Sequence, residues 1–294
     1  MIAQQLLNGL FLGAVYALFA VGYTLVFGVL DILNLAHAAI FTAAAFAAFS
    51  LAVGTGMPLP LAFLIAAAMA GIIGILLDRV AFAPLRRRNA GTLVPLISSI
   101  GVAIIIGATL RGIYGVDERH FTTGAADTAP VLHLGPAAFT IVELTIFLAA
   151  VVLMFVLSWT LRASPLGRRI RAVAEDRVAA ALLGVNLERT IAATFFIASS
   201  LGGAAGVLTG LEYNSVTLDM GGPIELKGLA IIILGGMGSV TGAVIGGFVI
   251  GAVETLATAA GLSEWRDAIT FGVMFLILVA RPTGFFGKRA LRQA

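Results

Sequence analysis

The chain has no cysteine among its 294 residues, so disulfides, thiolate metal sites and cysteine nucleophiles are excluded. Charge is scarce as well. Asp, Glu, Lys and Arg make up 11% of the residues, against about 25% in a soluble domain, too few to cover a water-facing surface. Histidine is limited to His37, His120 and His133. They fall in separate segments with no second ligand at helical spacing, so no metal site is expected. No phosphate-cradling loop of the Walker type is present. The nearest stretch, Gly284-Phe-Phe-Gly287-Lys288-Arg289, has the wrong spacing and Arg where a hydroxyl would hold Mg²⁺. Ser98, Ser99, Ser199 and Ser200 lack an orienting base, and small polar residues in apolar helices mostly serve packing and back-bonding. No catalytic residue is expected. The N-terminus, MIAQQLLNGLF, lacks a basic n-region and reads as a first span rather than a signal peptide.

What is present is apolar. Hydrophobic residues make up 60% of the chain and the mean hydropathy is +1.06. An all-α, polytopic integral membrane protein is expected, since spanning hydrocarbon takes about 20 apolar residues per helix. About eight or nine hydrophobic segments follow, at 6–30, 37–53, 61–82, 93–111, 140–161, 190–211, 228–234, 243–258 and 268–280. The run at 228–234 is too short for a full crossing and predicts a broken or re-entrant helix. Between 112 and 139 hydropathy falls, predicting an external loop.

Basic residues set the orientation, because Lys and Arg near span ends stay in the cytoplasm. They cluster at Arg86 to Arg88, in 162–189, and at Arg281, Lys288, Arg289 and Arg292, so these three segments share the cytoplasmic side. Three segments precede Arg86, which places the N-terminus outside if all cross. Each half then has a full span, a polar break (31–37; 212–227) and Ala/Gly-rich segments, running in opposite directions. An inverted repeat of the kind transporters use accounts for this; so does shared composition alone.

The longest polar interruption, 162–189, holds six arginines and three acids. Ser164-Pro165 predicts a capped helix start, Gly184 a stop and Asn186 the cap of the next helix. A loop that only sets topology and touches lipid phosphates needs no such helices. The run Glu175-Asp176 followed by AAALLG suits a short amphipathic helix that seats in a partner's groove. In the first break, Asp31 reads as a cap, while Asn34 and His37 either line the cytoplasmic mouth of a pathway or hinge two helices. Glu212, Glu225 and Lys227 read as outer-side loop or snorkelling residues, and Glu254 as an interhelical hydrogen-bonding group. Gly235, Gly236, Gly238, Gly242 and Gly246 predict a helix break and a close-packing stripe.

At AEDRVAAALLGV (174–185) the chain resembles the cytoplasmic coupling motif of ABC-importer permeases of the branched-chain amino acid, or LivH, type. The likeness extends to NGLFLGAVYALFAVGYTLVFGVLDILNLAHAAIF, RVAFAPLRRR, LISSIGVAIII, KGLAIIILGGMGSVTGAVIGGFVIG and RPTGFFG, in order along the chain. It implies one transmembrane permease domain over 1–294 in the bacterial inner membrane, with a coupling element at 162–189. It also implies a second, LivM-like permease, two cytoplasmic ATPases that carry the ATP and Mg²⁺, and a periplasmic substrate-binding protein. Ala174, Glu175, Asp176, Ala180 and Gly184 would engage an ATPase. Membrane lipid is expected as a partner and nucleic acid is not. The family often has Gly after Ala36-His37, where this chain has Ala38. It extends to urea, amide and carboxylate permeases, so cargo and path residues do not carry over. On residues alone, an ion-coupled secondary transporter is the other class.

Overall fold

The computed structural model describes residues 2–91, 93–121, 130–134 and 137–287. Helix α1 (Ile2–Leu30) is followed by a break and α2 (His37–Phe49), which widens into a π-type turn over Ser50–Gly54. Helix α3 (Leu59–Leu77) starts behind Pro58 with Pro60 in its first turn, and continues through the wide turn Asp78–Phe82 into α4 (Ala83–Arg87). Helix α5 (Leu93–Tyr114) leads to the external loop, where β1 (Pro130–Leu134) and β2 (Ala137–Thr140) pair antiparallel. Helix α6 (Ile141–Ala163) starts with a reciprocal capping box between Thr140 and Glu143, which satisfies two of the free N–H groups of the first turn. Then come α7 (Pro165–Glu175), α8 (Arg177–Leu182), α9 (Leu187–Glu212), α10 (Gly221–Gly235), α11 (Val240–Ala259) and α12 (Arg266–Ala280).

Seven helical stretches among the described residues are long and apolar enough to cross a membrane. Helices α10 and α12, at 15 residues each, reach only about 22 Å at 1.5 Å per residue, short of the roughly 30 Å of hydrocarbon. The short α10 covers the run at 228–234 expected to be a broken or re-entrant helix. Both long breaks carry a left-handed residue within their first two positions, Asp31 at φ 53° and Asn214 at φ 47°. Asp and Asn are the side chains that tolerate this region.

The two halves pack in parallel ways. Helix α1 lies against α11 as α9 lies against α3; α10 lies beside α1 as α2 lies beside α9; α5 packs on α2 as α12 packs on α10. Helices α1 and α9 are the buried centre, 83% and 78% enclosed over their apolar stretches, whereas α5 and α6 are 17% enclosed and face out of the bundle. At the α1–α11 contact, a Cβ on Gly251 would lie 2.6 Å from the Gly13 Cα. Such backbone approach is what small residues permit where no hydrophobic force drives helices together.

Contacts show which segments share an end of the bundle. The Gln4 amide donates to the Ala138 carbonyl and accepts from the Ala138 N–H, both at 2.8 Å, so the N-terminus lies with the 112–139 loop. At the other end, Arg79 and Arg87 pair with Glu188 at 3.2 and 2.7 Å, which joins two of the three basic segments. The third runs beyond the described residues at Lys288, Arg289 and Arg292, as do 122–129 and 135–136 of the external loop.

Candidate functional site

The polar element at 162–189 is built from caps. Ser164 accepts a hydrogen bond from the Gly167 N–H at 2.9 Å, with Pro165 at the first helical position. Ile170 and Val173 of α7 are buried while Arg168, Arg169 and Arg171 are exposed. Asp176 then ends α7 and caps α8, accepting from Val178 and Ala179 N–H at 2.7 and 3.0 Å. Gly184, at φ 81°, closes α8, and Asn186 accepts from Arg189 N–H to cap α9. Ala174, Glu175, Asp176 and Gly184 are exposed. Ala180, which the sequence groups with them, is not: it faces inward at 2% exposure. The apolar surface of α8 is formed instead by Val178, Leu182 and Leu183, 70–83% exposed, two of them one turn apart.

Arg177 has a role the charge pattern does not reveal. Its Nε and Nη2 donate to the Val29 carbonyl at 3.2 and 2.9 Å. That carbonyl belongs to the last turn of α1, where the helix leaves acceptors unpaired and a cation complements the dipole. The guanidinium therefore ties α8 to the end of the most buried helix.

Asn34 and His37 are 2% and 0% exposed. Asn34 Oδ1 accepts from Ala36 N–H at 3.2 Å, an Asx-type turn that shapes the break. The His37 ring lies 4.8 Å from the Phe19 ring and 5.4 Å from that of Tyr23. A Cβ on Gly202 would come within 2.6 Å of it. The structure thus places His37 in an enclosed aromatic cluster between α1 and α9, not at an open cytoplasmic mouth.

The glycine tract does what close spacing predicts. A Cβ on Gly242 would lie 2.0 Å from the Gly235 carbonyl oxygen, and one on Gly246 2.9 Å from that of Ile231. Gly236 and Gly238 turn the chain at φ 95° and 84°. The segment after α12 folds onto this turn: Phe285 and Phe286 N–H donate to the Leu234 and Gly235 carbonyls at 2.8 and 3.0 Å, capping α10.

Lys227 corrects the sequence reading. It lies inside α10 and is 5% exposed, not at the surface. Its Nζ donates to Glu254 Oε1 at 2.8 Å and to the Tyr16 hydroxyl at 3.1 Å, and pairs with Asp267 at 3.2 Å. Tyr16 in turn donates to Glu254 Oε2 at 2.9 Å. Glu254 is therefore the interhelical group the sequence suggests, with a lysine as its partner. Beside this network lies a cavity of about 440 Å³, bordered by Glu118, Glu212, Tyr213 and Arg266, at the end of the bundle that holds the 112–139 loop. The available signal was an ionisable residue within each of two apolar helices, costly unless paired.

A family described as "Branched-chain amino acid transport system / permease component" matches residues 5–278. The chain is 34% identical to the high-affinity branched-chain amino acid transport system permease protein LivH of Escherichia coli (strain K12), over 97% of this chain and 95% of that one. It is 33% identical to the corresponding protein BraD of Pseudomonas aeruginosa, with the same coverage. At 26% it matches the ribose import permease protein RbsC of Haemophilus influenzae over 94% of this chain and 84% of that one. With its buried α1–α9 pair, broken helices and protruding α8, the chain belongs to the branched-chain amino acid transport permease family.

Proposed function

We propose that the chain is the inner-membrane permease subunit of an ATP-driven importer, moving branched-chain amino acids by alternating access, with hydrolysis of Mg-ATP left to partner chains. A LivM-like permease would complete the pathway, two cytoplasmic ATPases would drive it, and a periplasmic binding protein would deliver cargo. The observation that carries this reading is α8. A water-facing cytoplasmic helix that exposes Val178, Leu182 and Leu183 beside Glu175 and Asp176 has the apolar anchors and polar rim of a docking surface. Arg177 then passes its movement to α1.

The test uses the full complex in proteoliposomes. Leu182→Ala together with Leu183→Ala is expected to lower binding-protein-stimulated ATP hydrolysis roughly thirtyfold or more, the effect of losing an interface anchor worth about 2 kcal/mol. Glu175→Gln with Asp176→Asn should act in the same direction, with membrane insertion intact. Undiminished hydrolysis would sink the docking assignment, and leucine uptake by this chain alone would replace it with an ion-coupled transporter. Arg177→Gln separates transmission from docking: the ATPases should still co-purify while stimulated hydrolysis falls. Loss of co-purification would make Arg177 part of the docking surface instead.

A further inference from the structure

The cavity beside the Lys227 network carries charge that the fold does not use. Lys227 is committed to Glu254, Asp267 and Tyr16, so it is a fixed positive wall. Arg266 Nε lies 3.5 Å from Glu254 and 3.9 Å from Asp267, and the half-exposed side chain lines the opening. On the other side, Glu212 Oε2 is enclosed with no hydrogen-bond partner among the described residues, while Glu118 accepts from the Ser215 hydroxyl. Leu12, Val15 and Ile224 supply an apolar part of the lining. The volume, about 440 Å³, falls within the roughly 300–1,000 Å³ of small-molecule sites.

These groups select by charge. A plain anion would meet two carboxylates, and a plain cation would meet Lys227 and Arg266. A ligand bearing both charges satisfies both sides, and carboxylates and guanidinium groups form charge-assisted hydrogen bonds to such ends. The cavity also sits at the second helix break, where short α10 begins; broken helices are what inverted-repeat transporters build cargo sites from.

We infer that this cavity is a transit site for a zwitterionic amino acid, its ammonium on Glu212, its carboxylate toward Arg266 and its side chain against Leu12, Val15 and Ile224. The assignment rests on the importer reading for its direction of transport, not for binding itself.

The test is photolabelling of the purified complex, without binding protein, by a leucine analogue whose side chain carries a diazirine. Label is expected on the segments around Leu12, Val15 and Ile224. Leucine should compete, while 4-methylpentanoate, which lacks the ammonium, and leucinamide, which lacks the carboxylate, should not. Glu212→Gln and Arg266→Gln should each weaken labelling roughly ten- to hundredfold, as for loss of one charge-assisted hydrogen bond, and Glu212→Asp should recover part of it. Label confined to other surfaces, equal competition by either analogue, or unchanged labelling in both variants would overturn the site. Should a variant fail to fold, the label map and competition series on the unmodified complex decide alone. A labelled cavity in a complex that moves no leucine would remove the importer reading and leave the site. Leucine transport with an unlabelled cavity would do the reverse.

Discussion

Replacing Lys227 by methionine is expected to destabilise the folded protein by about 3–5 kcal/mol, the cost of leaving one partner of a buried ion pair uncompensated. The substitution keeps side-chain volume and removes the charge. Glu254, 2% exposed, then keeps the Tyr16 hydroxyl at 2.9 Å and Arg266 Nε at 3.5 Å. Movement of half-exposed Arg266 toward it would hold the loss near the lower end of the range. The double replacement Lys227→Met with Glu254→Gln should recover most of the loss, because an apolar or neutral substitute for a whole buried pair is often no less stable. Tyr16→Phe should cost less, about 1–3 kcal/mol, since Lys227 and Glu254 still hold each other when the hydroxyl is gone. Equilibrium unfolding in mixed detergent reads all three. If the single and double variants unfold together, the pair does not join α10 to α11, and their attachment rests on glycine packing.

The features legible in the sequence are those whose cause is local. Ser164-Pro165, Gly184 and Asn186 act within three or four residues of themselves, and the structure has each cap or stop at the expected place. The breaks at 31–36 and 213–220 are legible because polar residues interrupt long apolar runs. Helix α10 was not legible in full. Its start at Gly221, seven residues before the expected apolar run, is hidden because Glu225 and Lys227 look like loop residues until Glu254 is known to lie opposite. That pairing spans 27 positions and no period reports it. Ala180 turns inward in a six-residue helix, too short for periodicity to fix a face. His37 is enclosed because Gly22 and Gly202 leave it room, a fit between distant segments. The arginines of 162–189 read as one topogenic group, yet Arg177 is singled out by a carbonyl of α1 that only the folded chain brings near.

Gly242→Val should be about as damaging as the loss of Lys227, at about 3 kcal/mol, the upper end for overpacking a close-packed contact. A Cβ at this position would lie 2.0 Å from the Gly235 carbonyl oxygen and 2.6 Å from its carbon. Both atoms are backbone, so no rotamer change relieves the clash and α10 must move away from α11. The higher helix propensity of a side chain over glycine offsets less than about 1 kcal/mol of this. The displacement would also reach the turn that follows α10. Leu234 and Gly235 accept the Phe285 and Phe286 N–H groups there, and a Cβ on Gly236 would lie 2.2 Å from the Gly287 nitrogen, so the two segments have little slack. The Phe285 and Phe286 amides of Gly242→Val should therefore exchange with solvent faster than those of the parent, alongside a lowered unfolding midpoint. Gly101→Ala is the matching control, since nothing lies within 4 Å of its Cβ position; it should be neutral or stabilising by up to about 1 kcal/mol. A lowered midpoint with unchanged exchange at Phe285 and Phe286 would confine the effect to the α10–α11 contact. An unchanged midpoint would mean that these helices separate at no cost, against the packing that their glycines permit.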